Sequence, residues 1–274
     1  AIRRELFDPI PDDTLLVKGD GGDAVSLQGT WTKGATISNP FGETGSFDIY
    51  TSGAAKILVE SELAVVSGAP TAIDLAMLNG TNGFTLIGVD MGDVSGLSVS
   101  SAGDVNGDGF DDLIVATPYA ERPGGVESEG ESYVVFGKAS WAGTPSLDLA
   151  TLDGTNGFTL IGIDAEDKSG WSVSSAGDVN GDGFADLIVG VPFGESAGGA
   201  YNEGESYVVF GKTSWAGTPS LDPATLDGTN GFRLVGVDAS ENSGYSVSSA
   251  GDVNGDGFGD LIVATPYASA PGSS

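Results

Sequence analysis

A loop pattern with oxygen-bearing side chains at alternating positions occurs three times in the chain. In its first copy, positions 1, 3, 5, 7 and 9 are Asp104, Asn106, Asp108, Phe110 and Asp112. A loop that curls around a cation points alternate residues inward, and calcium takes six to eight oxygen ligands at about 2.3–2.6 Å. Three carboxylates, one amide oxygen and the carbonyl of the Phe would supply most of these ligands. The pattern therefore predicts a calcium site.

The second and third copies keep all of these positions. The residues predicted to hold about three calcium ions are Asp104, Asn106, Asp108, Phe110 and Asp112, then Asp178, Asn180, Asp182, Phe184 and Asp186, and then Asp252, Asn254, Asp256, Phe258 and Asp260. Position 8 changes from Asp111 to Ala185 and Gly259, so the ligands are kept while a neighbour drifts. The alternative interpretation is three Asp-Gly turns capped by their own side chains.

The pattern differs from the calcium loop of helix-loop-helix proteins at its end. Position 12 is a bidentate Glu in those proteins, whereas it is Val115, Val189 or Val263 in this chain. The flanking sequences are typical of strands rather than helices. We therefore expect the acid at position 9 to close the ligand shell. Magnesium fits less well, because it prefers few protein ligands and keeps its waters.

The composition excludes several classes of function. The 274 residues include no His and no Cys, which excludes Ser-His-Asp and Cys-His catalysis, disulfides and Cys/His zinc sites. The 39 acidic residues against 10 basic ones give a formal charge of −29, so a nucleic-acid partner is not expected. No apolar run approaches the roughly 18 residues of a membrane span.

The loop belongs to a larger unit that repeats every 74 residues, and the same offset relates Phe136-Gly137 to Phe210-Gly211. Each unit contains four short runs typical of strands, which in the first unit are Phe84–Val89, Leu97–Ser101, Leu113–Ala116 and Tyr133–Phe136. Four short strands are the content of one propeller blade. A helical turn is expected only at short stretches such as Leu149–Leu152.

The repeat predicts an all-β chain with about three propeller blades. We expect a small β-rich unit at 1–70, in which residues 1–10 form an extended linker, followed by blades at 71–147, 148–221 and 222–274. The third blade stops before its Phe-Gly strand, and closed propellers have about four to eight blades. We therefore expect the ring to be incomplete in this chain.

The unit resembles the FG-GAP repeat of integrin α-subunit propellers and their bacterial relatives. The Phe-Gly of that family is matched by Phe136-Gly137 and Phe210-Gly211, and its Gly-Ala-Pro loosely by Ala116-Thr117-Pro118. The resemblance covers residues 71–274 and implies a β-propeller with calcium ions in hairpin loops at one rim. It also implies an extracellular module for adhesion, ligand binding or scaffolding.

These features together predict a non-catalytic, calcium-stabilised repeat module of a surface or secreted protein. Its partners would be other blades of the same longer chain or neighbouring copies, together with a protein or glycan ligand. A carbohydrate-binding propeller is one alternative. For it, the aromatic surfaces would come from Trp171 and Tyr245, which share one repeat position with Leu97, or from the loop residues Trp141 and Trp215. Packing between blades or over a blade edge is the other interpretation of these residues.

The scaffold domain of a secreted hydrolase is the second alternative. Glycoside hydrolysis needs a pair of carboxylates, and Glu121, Glu127 and Glu129 cluster in one variable loop. An active site is usually made once, however, whereas the loop acids come three times. We therefore expect the chain not to be an enzyme.

Overall fold

The computed structural model describes residues 14–17, 24–27, 32–38, 46–52, 55–60, 64–67, 74–121, 127–196 and 200–268. The chain divides into two compact units, Ala1–Met77 and Leu78–Ser274. The described residues are nearly all-β, as the sequence predicts. None of the helices among them has the length and apolar character that crossing a membrane requires. The predicted linker at 1–10 lies outside the described residues.

The described residues of the first unit form two small sheets. Its described strands are β1 (Thr14–Val17), β2 (Ala24–Leu27), β3 (Thr32–Ser38), β4 (Ser46–Ser52), β5 (Ala55–Glu60) and β6 (Ala64–Ser67). One sheet has the order β1-β5-β4-β3, and β2 pairs with β6 in the other. The described residues of this unit are thus mainly strands, and the boundary at 70 stays a prediction.

The second unit is built from short strands and single-turn 3-10 helices. Its described strands are β7 (Thr85–Ile87), β8 (Val99–Gly103), β9 (Asp112–Thr117), β10 (Glu131–Val135), β11 (Ser146–Asp148), β12 (Gly157–Ile161), β13 (Ser172–Gly177), β14 (Asp186–Val191), β15 (Glu205–Val209), β16 (Ser220–Leu221), β17 (Gly231–Val235), β18 (Ser246–Gly251) and β19 (Asp260–Ala264). The 3-10 helix Leu149–Thr151 lies where the sequence predicts a helical turn, and the side chain of Asp148 caps it by accepting a hydrogen bond from the N–H of Ala150.

The strands of the second unit form propeller blades. The first blade contains β8, β9, β10 and β12, with antiparallel neighbours, and the short β16 adds to its outer edge. The second blade repeats this arrangement with β13, β14, β15 and β17. In the third blade the structure describes the hairpin of β18 and β19. The all-β propeller prediction is confirmed.

The outer strand of each four-stranded blade comes from the following sequence repeat. Strand β12 lies in the unit predicted at 148–221, yet it pairs with β10, where Thr159 lies opposite Tyr133. In the same way β7, the first strand of its own unit, pairs with β11 and not with β8. The sequence repeats and the sheets are thus offset by one strand. Each sequence repeat therefore contributes strands to two neighbouring blades. The boundaries at 71, 148 and 222 stay predictions for the sequence units.

The main core lies between the sheets of the first and second blades. Ile114 and Phe158 from the first blade pack in one buried cluster with Val173 and Leu187 from the second. Nearly every residue of β9 is buried, and every residue of β14 is. This burial on both faces agrees with the continuous apolar run at Leu113–Ala116. A strand buried on one face only would alternate apolar and polar residues.

Candidate metal centre

Each predicted loop connects the first two described strands of its blade. The first loop lies between Gly103 and Asp112, which face each other across the hairpin of β8 and β9. A register shift between Ser101 and Gly103 precedes it and recurs in the other two copies. Such β-bulges bend a strand and redirect its side chains. The structure therefore brings the five predicted residues of each copy together in one hairpin loop.

Asp104 shapes the first loop by accepting hydrogen bonds from three backbone amides. Its Oδ1 accepts from Gly107 at 2.7 Å and from Asp108 at 3.0 Å, and its Oδ2 accepts from Gly109 at 2.9 Å. Asp178 and Asp252 make the same three bonds in their own loops. In the third loop these amides hold the pKa of Asp252 below its usual value, and the N–H of Gly257 has the largest effect.

Positions 3 and 5 extend the same network. The Oδ1 of Asn106 accepts from the N–H of Asp108 at 2.8 Å, and its Nδ2 donates to Oδ2 of Asp108 at 3.0 Å. Asp108 in turn accepts from the N–H of Phe110 at 2.9 Å. The second loop repeats all three bonds. In the third loop the Nδ2 of Asn254 instead donates to Asp260 at 3.4 Å.

The position-9 acid is buried in the first two loops. Asp112 accepts from the N–H of Val105 at 2.9 Å and from the N–H of Gly137 at 2.7 Å. Burial raises the pKa of Asp112 to about 6, and the charges of Asp108 and Asp104 add to the shift while the two amides oppose it. Asp186 has the matching environment, and burial likewise raises its pKa to about 6. Asp260 is only half-buried and accepts from Val253 at 2.8 Å.

The loop oxygens are suitable ligands for a hard cation, although hydrogen bonds already use some of their acceptor positions. A carboxylate offers about four acceptor positions, of which Asp104 uses three and Asp108 and Asp112 use two each. The acceptors that remain are all oxygens, as calcium requires. Among the described residues no group of three or more acidic side chains is arranged closely enough to hold an ion. The carboxylates face the backbone amides instead.

The first loop is open to solvent on one side. A cleft of about 380 Å³ lies beside it, and its lining includes Asn106, Gly107 and Asp108 of the loop together with Thr155 and Trp215. This cleft gives an ion or a chelator a path to the polar side of the loop. Access of this kind is one requirement for a reversible metal site.

Two groups of this site were missed by reasoning from the residue types. The backbone N–H groups of Gly137 and Gly211 hold Asp112 and Asp186, but they lie on a different strand connection. The Phe-Gly repeat was the signal that could have found them. Gly137 must approach the loop closely, because a Cβ there would collide with the carbonyl oxygen of Asp111.

The loop tryptophans pack on aromatic rings. Trp215 is only 2% exposed, and its ring stacks on Phe158 at a centroid distance of 3.7 Å with Nζ of Lys212 4.1 Å from the ring. Trp141 stacks on Phe84 in the same way but is half-buried. The structure therefore favours packing for Trp215. The rings of Trp171, Tyr245 and Tyr267 form a row that reaches the surface. The ring centroids of Trp171 and Tyr245 lie 5.7 Å apart, those of Tyr245 and Tyr267 lie 6.3 Å apart, and Tyr267 is 63% exposed.

Glu129 does not form an exposed carboxylate pair with Glu121 or Glu127, the other acids that the sequence analysis assigned to a variable loop. Glu129 is fully buried, whereas Glu121 and Glu127 are exposed. Glu129 also has a buried counterpart at the same repeat position, Glu203. Its description as part of a variable loop is therefore wrong, because this acid recurs with the repeat.

Three segments of the chain, 95–135, 169–209 and 243–274, match the family model of the FG-GAP repeat. These three segments are FG-GAP repeats. Each match begins just before the inner strand of its blade. Its candidate loop, starting at Asp104, Asp178 or Asp252, therefore lies inside the matched segment.

The chain is similar to two kinds of curated protein. Integrin alpha-5 of Xenopus laevis is 32% identical over 197 residues, which is 69% of this chain and 16% of that protein. Phosphatidylinositol-glycan-specific phospholipase D is 29% identical in Dictyostelium discoideum over 71% of this chain and 20% of the relative, and 34% identical in Homo sapiens over 65% and 19%. The chain thus spans about a fifth or less of the length of these relatives.

Proposed function

We propose that the FG-GAP repeats form a calcium-stabilised, non-catalytic module in which each of the three hairpin loops binds one ion. The ligands would be the side chains at positions 1, 3, 5 and 9 and the carbonyls of Phe110, Phe184 and Phe258. The observation that carries this proposal is that the same oxygen-bearing residues recur in all three loops, with the carboxylate at position 1 held by the same backbone amides. Calcium would supply positive charge that screens the loop carboxylates from one another.

The chemistry of the loops supports an extracellular or cell-surface location. Calcium sites of extracellular modules have dissociation constants of about 10⁻⁴–10⁻³ M and are filled only where calcium is near millimolar. The formal charge of −29 would strengthen self-repulsion wherever the ions are missing. We therefore place the module outside the cell, in an adhesion or scaffold role, with other blades of a longer chain or neighbouring copies as its partners.

Calorimetry with and without chelator tests this function. We expect about three ions per chain and a lower melting temperature in chelator. An ion that binds only the folded loop adds about 2.7 kcal/mol per site at a hundredfold excess over its dissociation constant. Asp108→Ala should bring protease cutting near Gly107 even in calcium, with Asp111→Ala as the control at an exposed acid of the same loop. Equal melting curves with and without chelator, on protein shown to be metal-free, would contradict the proposal.

A carbohydrate ligand is the second candidate function. The row formed by Trp171, Tyr245 and Tyr267 favours it, because two of these rings remain exposed at one end of the blades. Aromatic rings combine a large apolar face with a polar tip. A glycan array with the unmodified protein and with Tyr267→Ala tests this candidate, and binding that survives the substitution would exclude this row as the site.

A further inference from the structure

The first two candidate calcium loops are each covered by a ring from the next loop. Gly107 lies at position 4 of the first loop with a φ of +75°, and a Cβ there would collide with Cε1 of Phe184 from the second loop. Gly181 of the second loop has the same relationship to Phe258 of the third, again through Cε1 at 2.5 Å from the added Cβ. The ring at position 7 therefore packs directly on the backbone of the preceding loop.

A backbone hydrogen bond accompanies each ring contact. The N–H of Ala185 donates to the carbonyl oxygen of Asp104 at 3.0 Å, and the N–H of Gly259 donates to the carbonyl oxygen of Asp178 at 2.6 Å. Asp104 and Asp178 are the acids whose carboxylates order their own loops. Position 1 of one loop is thus hydrogen-bonded to position 8 of the next loop. Position 8 directly follows the Phe whose ring covers Gly107 or Gly181.

We propose that Phe184 and Phe258 are positioning residues for the calcium loop of the preceding blade, so that neighbouring calcium sites bind cooperatively. This inference rests on the proposed calcium function. The carbonyl of Phe184 is a proposed ligand of the second ion, while its ring lies on the first loop. An ion in the second loop fixes the backbone of Phe184 and so holds the ring and the bond from Ala185 in place.

The coupling must be reciprocal. If an ion in the second loop raises the affinity of the first, an ion in the first loop raises the affinity of the second by the same factor. Each site is coupled mainly to its immediate neighbours, as in other repeat proteins. Calcium should therefore fill and order the three loops over a narrower concentration range than independent sites would.

Tyr201 provides the control for Phe184. It lies in the same sequence repeat, its side chain is 68% exposed, and it is not a proposed calcium ligand. Its backbone carbonyl accepts a hydrogen bond from the N–H of Ser240 at 2.8 Å, and substitution by Ala keeps that carbonyl. Both variants thus remove one aromatic ring from the same repeat, but only Phe184→Ala removes a ring that packs on a neighbouring loop.

The experiment is peptide-resolved hydrogen exchange of residues 104–112 during a calcium titration of the whole chain. We expect Phe184→Ala to raise the calcium concentration at half-protection of this loop by about fivefold, and Tyr201→Ala to change it by less than about twofold. Phe184→Leu should give an intermediate value, since it keeps part of the apolar contact. It also covers the case in which the Ala variant folds poorly.

A double substitution separates coupling from simple packing. Asp182→Ala removes a central ligand of the second ion and should also weaken calcium protection of the first loop. In the Phe184→Ala background this effect on the first loop should largely vanish, because the contact that transmits it is gone. The coupling would be overturned, with the calcium function left in place, if residues 104–112 reached half-protection at the same calcium concentration in Phe184→Ala and in the unmodified chain. Exchange in the unmodified chain that ignores calcium would overturn both.

Discussion

Gly137 donates its backbone N–H to Oδ1 of Asp112 at 2.7 Å, although 25 residues of sequence separate them. Gly211 and Asp186 repeat the bond at 2.9 Å. The glycine is required because a Cβ on Gly137 would collide with the carbonyl oxygen of Asp111 and would lie 2.8 Å from Cβ of Phe110. The Phe-Gly pair is thus the point at which the third strand of a blade holds the loop between its first two strands.

Gly137→Ala should therefore destabilise the first loop. The added methyl group pushes the loop away and leaves one oxygen of the buried Asp112 without its amide partner, which costs on the order of 2 kcal/mol. Urea unfolding should show a lower midpoint, and hydrogen exchange should be faster at 104–112. Gly211→Ala is the internal control, since it should speed exchange at 178–186 more than at 104–112. Unchanged midpoints for both variants would mean that this contact has no role in stability.

Asp112→Asn and Asp111→Asn separate local geometry from net charge. Each removes one negative charge from the same loop, but Asp112 is buried between two amide donors, whereas Asp111 is exposed. An Asn amide group has one acceptor atom, so its NH₂ would face an N–H donor. We expect Asp112→Asn to lose about 1–3 kcal/mol of stability and to weaken calcium binding. Asp111→Asn should stay within about 0.5 kcal/mol of the unmodified chain.

Calorimetry and urea unfolding of the two variants side by side measure these effects. Because both variants have the same net charge, a general electrostatic effect would shift them equally. Equal losses of calcium affinity in Asp111→Asn and Asp112→Asn would therefore argue against a specific role for the buried carboxylate.

Much of the loop could be predicted from the sequence because its donors are close together in the chain. Alternating residues between Asp104 and Asp112 define the hairpin, and the strand runs on both sides are short and apolar. The bond from Gly137 and the ring contact from Phe184 could not be derived in this way, since both depend on how strands and blades pack. A local spacing does not specify such long-range contacts.

The same reason explains the offset between repeats and sheets. The 74-residue period shows that Phe158 and Phe232 are equivalent, but a period does not say which neighbouring strand each one pairs with. Only the register shows that β12 completes the preceding blade. The buried state of Glu129 and Glu203 was missed for a related reason, because charged side chains are expected at the surface unless the packing around them is known.

Asp167 should make the stability of the chain depend on pH. It is buried near the other end of the second blade, and burial raises its pKa to about 7, with the charges of Asp164, Glu205 and Glu195 adding to the shift. Because this folded-state pKa lies above the usual Asp value of about 3.8, the folded chain binds more protons than the unfolded chain between about pH 4 and 7. The free energy of unfolding contributed by this group therefore falls as pH rises through that window.

Asp167→Asn should make that decline shallower and raise stability at pH 8 by about 1–2 kcal/mol. Urea midpoints at pH 5 and pH 8, measured in chelator, give the comparison with the unmodified chain. Glu166→Gln is the control, because Glu166 is exposed and its 3.5 Å contact with Lys168 is a surface ion pair of little net value. If the Asp167→Asn profile runs parallel to the unmodified one, the buried acid is not a source of the pH dependence.

Trp215→Ala and Trp141→Ala should differ strongly in stability. Trp215 is almost fully enclosed, with Phe158 stacked on its ring, the ammonium of Lys212 over it and its Nε1 donating to the carbonyl oxygen of Val105 at 3.5 Å. Removing a buried Trp costs about 3–5 kcal/mol because it leaves a cavity as well as lost contacts. Trp141 keeps part of its surface in water, so its loss should cost about half as much.

Thermal unfolding monitored by far-UV circular dichroism measures both variants without relying on Trp fluorescence. Since Val105 also holds Asp112 through its N–H, Trp215→Ala should in addition weaken calcium protection of the first loop. An ordinary surface Trp that binds a glycan would give the opposite pattern, with little change in stability and a loss of sugar binding. That result for Trp215 would revive the carbohydrate interpretation at this position, whereas a large stability loss with unchanged glycan-array binding would assign Trp215 to the packing between blades.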